Sequence, residues 1–233
     1  TSHETHFQYL EKCIRHKKKI FLEKPLCEKI SHLNKIKELA SIYPKKIHIN
    51  FNRRYSKIVK KVLDHIDKNK FTYLDYNIFS NSYINLEKTK DSLKNMIIGE
   101  FCHFIDLAQL FINNEIINYN FNYNDFNLSL KLEFKNGNFA NINFFSIENN
   151  NLSKEYVTII NGDNHFYIDN FQKIKMCLKK DIIKFDNKRV DKGFKESIEF
   201  FFKNHISDNY LKQVFKNTEI TIDVYNQIRN NIN

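Results

Sequence analysis

The sequence is short of glycine and proline. Its 233 residues include only 4 Gly and 2 Pro. The glycines are Gly99, Gly137, Gly162 and Gly193, and no two lie close together. That spacing excludes a G-x-G-x-x-G turn, a P-loop and any other clustered-glycine cradle for phosphates within this chain. Four cysteines, Cys13, Cys27, Cys102 and Cys177, form no C-x-x-C, so neither a zinc site nor a redox dithiol is indicated. Nothing suggests a disulfide framework, and a reducing cytoplasm is the expected compartment. No signal peptide and no long uncharged apolar run is visible, and no membrane partner is expected.

What is there belongs to a globular protein: 42% hydrophobic residues, 27% charged, and 22 Phe. The length fits one large domain or two small ones, with enough chain for a real core. The formal charge is +10. It is scattered, with only His16-Lys17-Lys18-Lys19 forming a dense run, so we read a solvated basic face and not a nucleic-acid surface.

Periodicity organises the first quarter. Phe7, Leu10 and Ile14 mark a helix over residues 5–16. A short apolar run over 19–23 reads as a buried strand ended by Pro25. Ile30, Leu33, Ile36, Leu39 and Ala40 mark a helix over 29–42, and a second strand follows over 46–51. Helix–strand–helix–strand implies a parallel, covered sheet. After Arg54 the pattern changes: a helix over 58–66, a strand over 71–80 and a nearly all-apolar helix over 96–111. The stretch 116–185 reads almost wholly as strand, with a turn at Asn136-Gly137, and two helices close the chain. The expected fold is α/β plus α+β: a partial Rossmann-type parallel sheet over 1–53, then a large, mainly antiparallel open sheet flanked by helices over 54–233.

Three constellations carry chemistry. Glu23-Lys24-Pro25 ends a buried strand, where ligands of open α/β sheets sit, although a lone E-K-P also fits a surface lysine leaving a strand. Glu100, His103 and Asp106 stand three apart on one helix face. A histidine between carboxylates suits acid–base chemistry near neutral pH, and equally a hydrogen-bonded core histidine. Arg53, Arg54 and Tyr55 follow a strand directly; paired arginines there suit an anionic group or a surface salt bridge. His3 and His6 lack a third ligand and read as non-metal, with Ser2 and Thr5 as helix caps.

In order, these pieces are T-S-H-x-x-H before a helix, a strand closing in F-L-E-K-P-L and another closing in F-N-R-R-Y. I-I-G-E-F-C-H-F-I-D-L and D-K-G-F follow. So arranged, the chain resembles the Gfo/Idh/MocA oxidoreductases, in particular a branch associated with bacterial surface-sugar biosynthesis. The resemblance implies NAD or NADP as cofactor and a sugar or nucleotide-sugar hydroxyl as the site of hydride transfer. It places Lys24 and His103 as catalytic residues and Glu23 with Lys24 at the nicotinamide. Arg53, Arg54, Tyr55, Glu100 and Asp106 would lie around the substrate. Gly99 stands where many members carry an Asp, which leaves Glu100 and Asp106 as substitutes in the proton relay. The resemblance also implies that the glycine-rich phosphate turn precedes Thr1, so that the cofactor site is incomplete in this chain and the chain alone is inactive. Pairing of two copies through the open sheet is expected. The alternative reading is a non-catalytic remnant serving as a binding or oligomerisation module.

Overall fold

The computed structural model describes residues 3–42, 47–80, 93–147, 149, 151–203 and 207–232. Of the expected features, Ser2 and the first residue of the strand over 46–51 lie outside these residues. The chain divides into two compact units: Thr1–Asn52, Thr89–Asp106 and Lys195–Asn233 form the first, and Arg53–Lys88 with Leu107–Phe194 form the second. The sequence expectation was two consecutive stretches meeting at 53/54. Two later segments, Thr89–Asp106 and Lys195–Asn233, belong with the first unit instead.

In the first unit, a 3-10 turn (His3–Thr5) leads into α1 (His6–Arg15), followed by β1 (Ile20–Leu22), α2 (Ile30–Ile42) and β2 (Ile47–Ile49). Leu10 and Ile14 of α1 and Leu33, Ile36 and Ala40 of α2 are buried at helical spacing. The two strands pair in parallel, Ile20 with Ile47 through Leu22 with Ile49. Thr5 stands at the N-cap with helical backbone angles and makes no side-chain capping bond. The expected cap is absent because the preceding 3-10 turn already carries the chain in helical geometry.

Residues 95–112 form one continuous helical stretch in two parts: a π-helical segment (Asn95–Phe101) running into α4 (Cys102–Ile112). The sequence predicts an ordinary helix here. The stretch is long and apolar enough to span a bilayer by composition, yet it is 83% buried inside the protein, as a core helix is. Two helices, α5 (Phe194–Lys203) and α6 (Asp208–Ile232), end the chain. Tyr210 of α6 seals β2: its hydroxyl donates to the Ile49 carbonyl at 2.6 Å and accepts from the Ile49 N–H at 3.2 Å. Both backbone groups on that strand edge are thereby satisfied.

The second unit holds α3 (Lys57–Leu63), capped by the Ser56 side chain, and an eight-stranded sheet. The strands are β3 (Thr72–Ser80), β4 (Ile116–Tyr123), β5 (Asn127–Phe134), β6 (Phe139–Ser146), β7 (Glu155–Asn161), β8 (Asn164–Asp169), β9 (Lys173–Cys177) and β10 (Ile182–Asp186). Their order is β10-β9-β8-β7-β3-β6-β5-β4, antiparallel except for the β3–β6 pair. Burial alternates strictly along β5, β6 and β7 and over most of β3. Leu74, Tyr76 and Ile78, then Leu128, Leu130, Leu132 and Phe134, and Val157 with Ile159 point to the covered face. The β5–β6 turn differs from a two-residue Asn-Gly hairpin. Gly137 N–H bonds to Phe134 O, and of the loop residues only Gly137 has a positive φ, +79°. This is a type I turn closed by a left-handed glycine, which inserts a bulge.

Candidate active site

The carboxyl ends of β1 and β2 lie side by side and gather the site within the first unit. Asn50 N–H continues the ladder to Leu22 O at 2.8 Å, so the residues after each strand emerge at the same level. Past β1 come Glu23 and Lys24, then Pro25 in a cis peptide. The buried His6 ring bonds through Nδ1 to the Pro25 carbonyl at 2.7 Å, which ties this segment to α1.

Lys24 does not point freely into solvent. Its ammonium donates to Glu100 Oε1 at 2.6 Å and to the Gly99 carbonyl at 2.8 Å. The π-helical geometry accounts for the second contact. A π segment loosens the regular i→i−4 ladder, and such segments recur at functional sites. Here the Gly99 carbonyl accepts from Lys24 and from the Cys102 thiol at 3.2 Å. Glycine at 99 also keeps the ring of His3 close: a Cβ there would stand 3.1 Å from His3 Cε1. His3 is 3.7 Å from Glu28, which pairs with Lys94 at 2.9 Å. Burial, with the charges of His6 and Lys24, holds the His3 imidazole below its ordinary pKa.

The polar stripe of Glu100, His103 and Asp106 runs inward. The Glu100 side chain is 40% exposed, His103 4% and Asp106 1%. The His103 ring meets the edge of Phe51, at a centroid distance of 5.9 Å, and Phe51 directly follows Asn50 past β2. Lys24, Glu100 and His103 therefore belong to one unit, whereas the sequence had them in two domains. Asp106 lies deepest of the three.

Arg53, Arg54 and Tyr55 fall in the second unit. They form a 3-10 turn (Asn52–Tyr55) at the start of the second. The Arg53 guanidinium forks onto Glu155, Nε to Oε2 and Nη2 to Oε1, each at 2.8 Å. Glu155 is fully buried and also accepts from Lys192 Nζ at 2.6 Å and from the Tyr76 hydroxyl. Burial pushes the Glu155 carboxyl up, but the Arg53 and Lys192 charges outweigh it and hold it at about 2. Burial pulls the Lys192 ammonium below its ordinary value despite Glu155. Such a bidentate guanidinium–carboxylate fork fixes both side chains in place. The D-K-G-F segment belongs to the same construction. Asp191 accepts from the Lys57 N–H at the start of α3 at 3.1 Å, Lys192 reaches Glu155, and Gly193 takes φ +74° before α5.

Three functional candidates escaped the sequence reading. Asn50 Nδ2 donates to Glu23 Oε1 at 2.7 Å, Ser197 Oγ meets Asn50 Oδ1 at 2.7 Å, and His48 Nε2 stands 3.2 Å from Ser197 Oγ. The signal available was His48 itself, a histidine in the middle of an apolar strand, where a buried partner is required.

The strand-end groups suit one end of a nicotinamide cofactor. The exposed Glu23 carboxylate offers an acceptor to a carboxamide, with the Lys24 ammonium alongside. For the pyrophosphate the 233 residues hold no clustered-glycine turn.

Residues 1–51 match the model of an oxidoreductase family with an NAD-binding Rossmann fold, GFO_IDH_MocA. No curated protein sequence matches the chain. Among solved structures, a Gfo/Idh/MocA family oxidoreductase from Vibrio cholerae is similar with a TM-score of 0.77 at 14% identity, over 100% of this chain and 77% of that one. The dehydrogenase MviM from Clostridium difficile gives 0.72 at 17%, over 99% and 77%. UDP-N-acetylglucosamine 3-dehydrogenase GnnA from Acidithiobacillus ferrooxidans gives 0.76 at 14%, over 96% and 75%. The first 51 residues thus carry the sequence signature of the Gfo/Idh/MocA oxidoreductases, and the described chain as a whole carries their fold.

Proposed function

We propose that the chain provides the reacting end of an NAD- or NADP-dependent oxidoreductase acting on a hydroxyl of a sugar or nucleotide sugar. The observation that carries this reading is the Lys24–Glu100 ion pair at the carboxyl end of β1, on the helical stretch that holds His103. When bound, the nicotinamide supplies or accepts the hydride. The chain's own work is placement and proton traffic. Lys24 Nζ, with 18% of its side chain exposed, exchanges its bond to Glu100 for one to the substrate hydroxyl. His103 takes the hydroxyl proton on oxidation and returns it on reduction. Glu100 holds the ammonium in place until substrate arrives. Saturation-transfer NMR with UDP-N-acetylglucosamine and related nucleotide sugars tests the substrate class. Hexose-ring protons should receive magnetisation from the protein, and Lys24→Ala should abolish that contact. Contact through uridine alone, or contact indifferent to Lys24, would overturn it.

A second copy of the chain is the proposed occupant of the open face of the large sheet. The polar groups there already satisfy one another: Asn143 donates to Asp75 and Asn77 at 3.1 Å, and Asn141 donates to Tyr73 at 3.2 Å. Such a centre can lose water without leaving unpaired groups. Around it lie the Phe79–Phe145 stack at 5.3 Å and Tyr156. Light scattering at micromolar concentration is expected to show a dimer, and Phe145→Asp a monomer. A monomeric unsubstituted chain would sink this assignment.

A further inference from the structure

The donor–acceptor sense of the contacts behind Glu23 is fixed. A carboxylate only accepts, so the Asn50 group 2.7 Å from Glu23 Oε1 is its amide nitrogen, and Asn50 Oδ1 faces Ser197. That oxygen carries no proton, so the single Ser197 hydroxyl proton lies on the 2.7 Å contact to it. Only lone pairs of Ser197 Oγ remain for His48 at 3.2 Å, which makes His48 Nε2 the protonated, donating nitrogen. Every bond therefore points the same way, from imidazole to hydroxyl to amide to carboxylate.

The chain of bonds also runs from inside to outside. His48 and Ser197 are 0% exposed and Asn50 is 3%, while Glu23 is exposed. Packing locks the inner end. The His48 ring stacks on Phe21 at 5.2 Å and Tyr210 at 5.9 Å, with Phe201 at 6.0 Å. Ser197 arrives from α5, 147 residues along the chain from Asn50. Aligned hydrogen bonds in a low-dielectric interior polarise one another.

We propose that His48, Ser197 and Asn50 are positioning residues that orient the Glu23 carboxylate through a one-way hydrogen-bond relay. Oε1 is occupied by Asn50, so Oε2 is presented as an acceptor for an N–H donor of the ligand. This rests on the nicotinamide reading above for the identity of that donor, a carboxamide. The orientation itself stands on the geometry alone.

The test uses the 233-residue chain with isotope-labelled Asn side chains and Glu carboxyls. His48→Phe keeps a ring among its aromatic neighbours and removes the donor. Ser197→Ala removes the hydroxyl. Both should accelerate exchange of the Asn50 side-chain amide by about five-fold, the net worth of one hydrogen bond. Both should also move the Glu23 carboxylate carbon resonance at neutral pH. Asn50 and Glu23 signals unchanged in both variants, with the melting temperature retained, would overturn the relay. Nicotinamide mononucleotide serves as the ligand probe. If it binds, Ser197→Ala should weaken it by about the same factor. If Ser197→Ala leaves its binding unchanged while the Asn50 and Glu23 signals still respond, the relay holds and the nicotinamide reading falls.

Discussion

Glu155→Gln is expected to destabilise the second unit by about 3–5 kcal/mol, the usual cost of leaving a buried charge without its partner. Arg53 is 5% exposed and forks onto the buried Glu155 carboxylate. Lys192, with 22% of its side chain exposed, has a route for its ammonium to reach water. Replacing the fork as a pair, Arg53→Met with Glu155→Leu, should therefore cost less than Glu155→Gln alone, because no charge stays buried unpaired. Urea titrations of the three proteins decide this. A single variant within about 1 kcal/mol of the parent would show that water reaches Arg53 and that the fork is a surface-type pair.

The same carboxyl sets an acid limit. It titrates at about 2 folded against an ordinary 4.5, so the unfolded chain binds the proton first. Its contribution is complete above about pH 5 and is lost as pH falls through 4.5 towards 2, roughly 3 kcal/mol in all. Glu155→Gln lacks this arm. Between pH 5 and 3 its stability should fall less steeply than that of the parent.

The parts of the fold that sequence made legible are those set by local repetition. Leu10 and Ile14, and Leu33 and Ile36, recur at helical spacing because one face of each helix is buried. The alternation of Leu128, Leu130, Leu132 and Phe134 announces a strand with one dry face. Long-range choices leave no such trace. Nothing in residues 72–80 says that β3 enters between β6 and β7, parallel to one and antiparallel to the other. The π segment reads as ordinary helix, because the apolar run Met96-Ile97-Ile98 is buried in either geometry. Glu155 heads a Val- and Ile-rich strand and looks like a solvent-facing start, yet its partner Arg53 lies 102 residues away. For the same reason Arg53 looked free to meet a substrate. In the candidate site, Lys24 and Glu100 were legible as residue types at a strand end and on a helix. The pairing of each with the other, and the relay behind Glu23, required the structure.

The 233-residue chain is expected to bind NAD(H) no tighter than about 1 mM and to turn over no substrate. Much of a dinucleotide's affinity comes from pyrophosphate oxygens meeting backbone N–H groups at a glycine-rich helix start. The four glycines here are dispersed, and three of them take the positive φ of turns: Gly137, Gly162 and Gly193. Gly99 lies in the π segment under His3. In the proposed placement Glu23 and Lys24 would meet only the nicotinamide end. Calorimetry decides the point, since micromolar binding would mean that the cofactor site lies elsewhere in this chain. Fusing the first glycine-rich strand–helix–strand of a structural relative ahead of Thr1 should bring binding into the micromolar range. In that fusion Lys24→Ala should slow hydride transfer by about 10²–10³-fold, as removal of a preorganised donor at a reacting oxygen does. Cofactor affinity should change far less, because Lys24 Nζ is held toward Glu100 and Gly99 at 2.6 and 2.8 Å. His103→Ala should slow the same step by about 10²–10⁴-fold through loss of the proton acceptor. A small carboxylate or amine base added to the buffer should restore part of the rate in His103→Ala. Rates in both variants within a few-fold of the parent fusion would remove Lys24 and His103 from the chemistry.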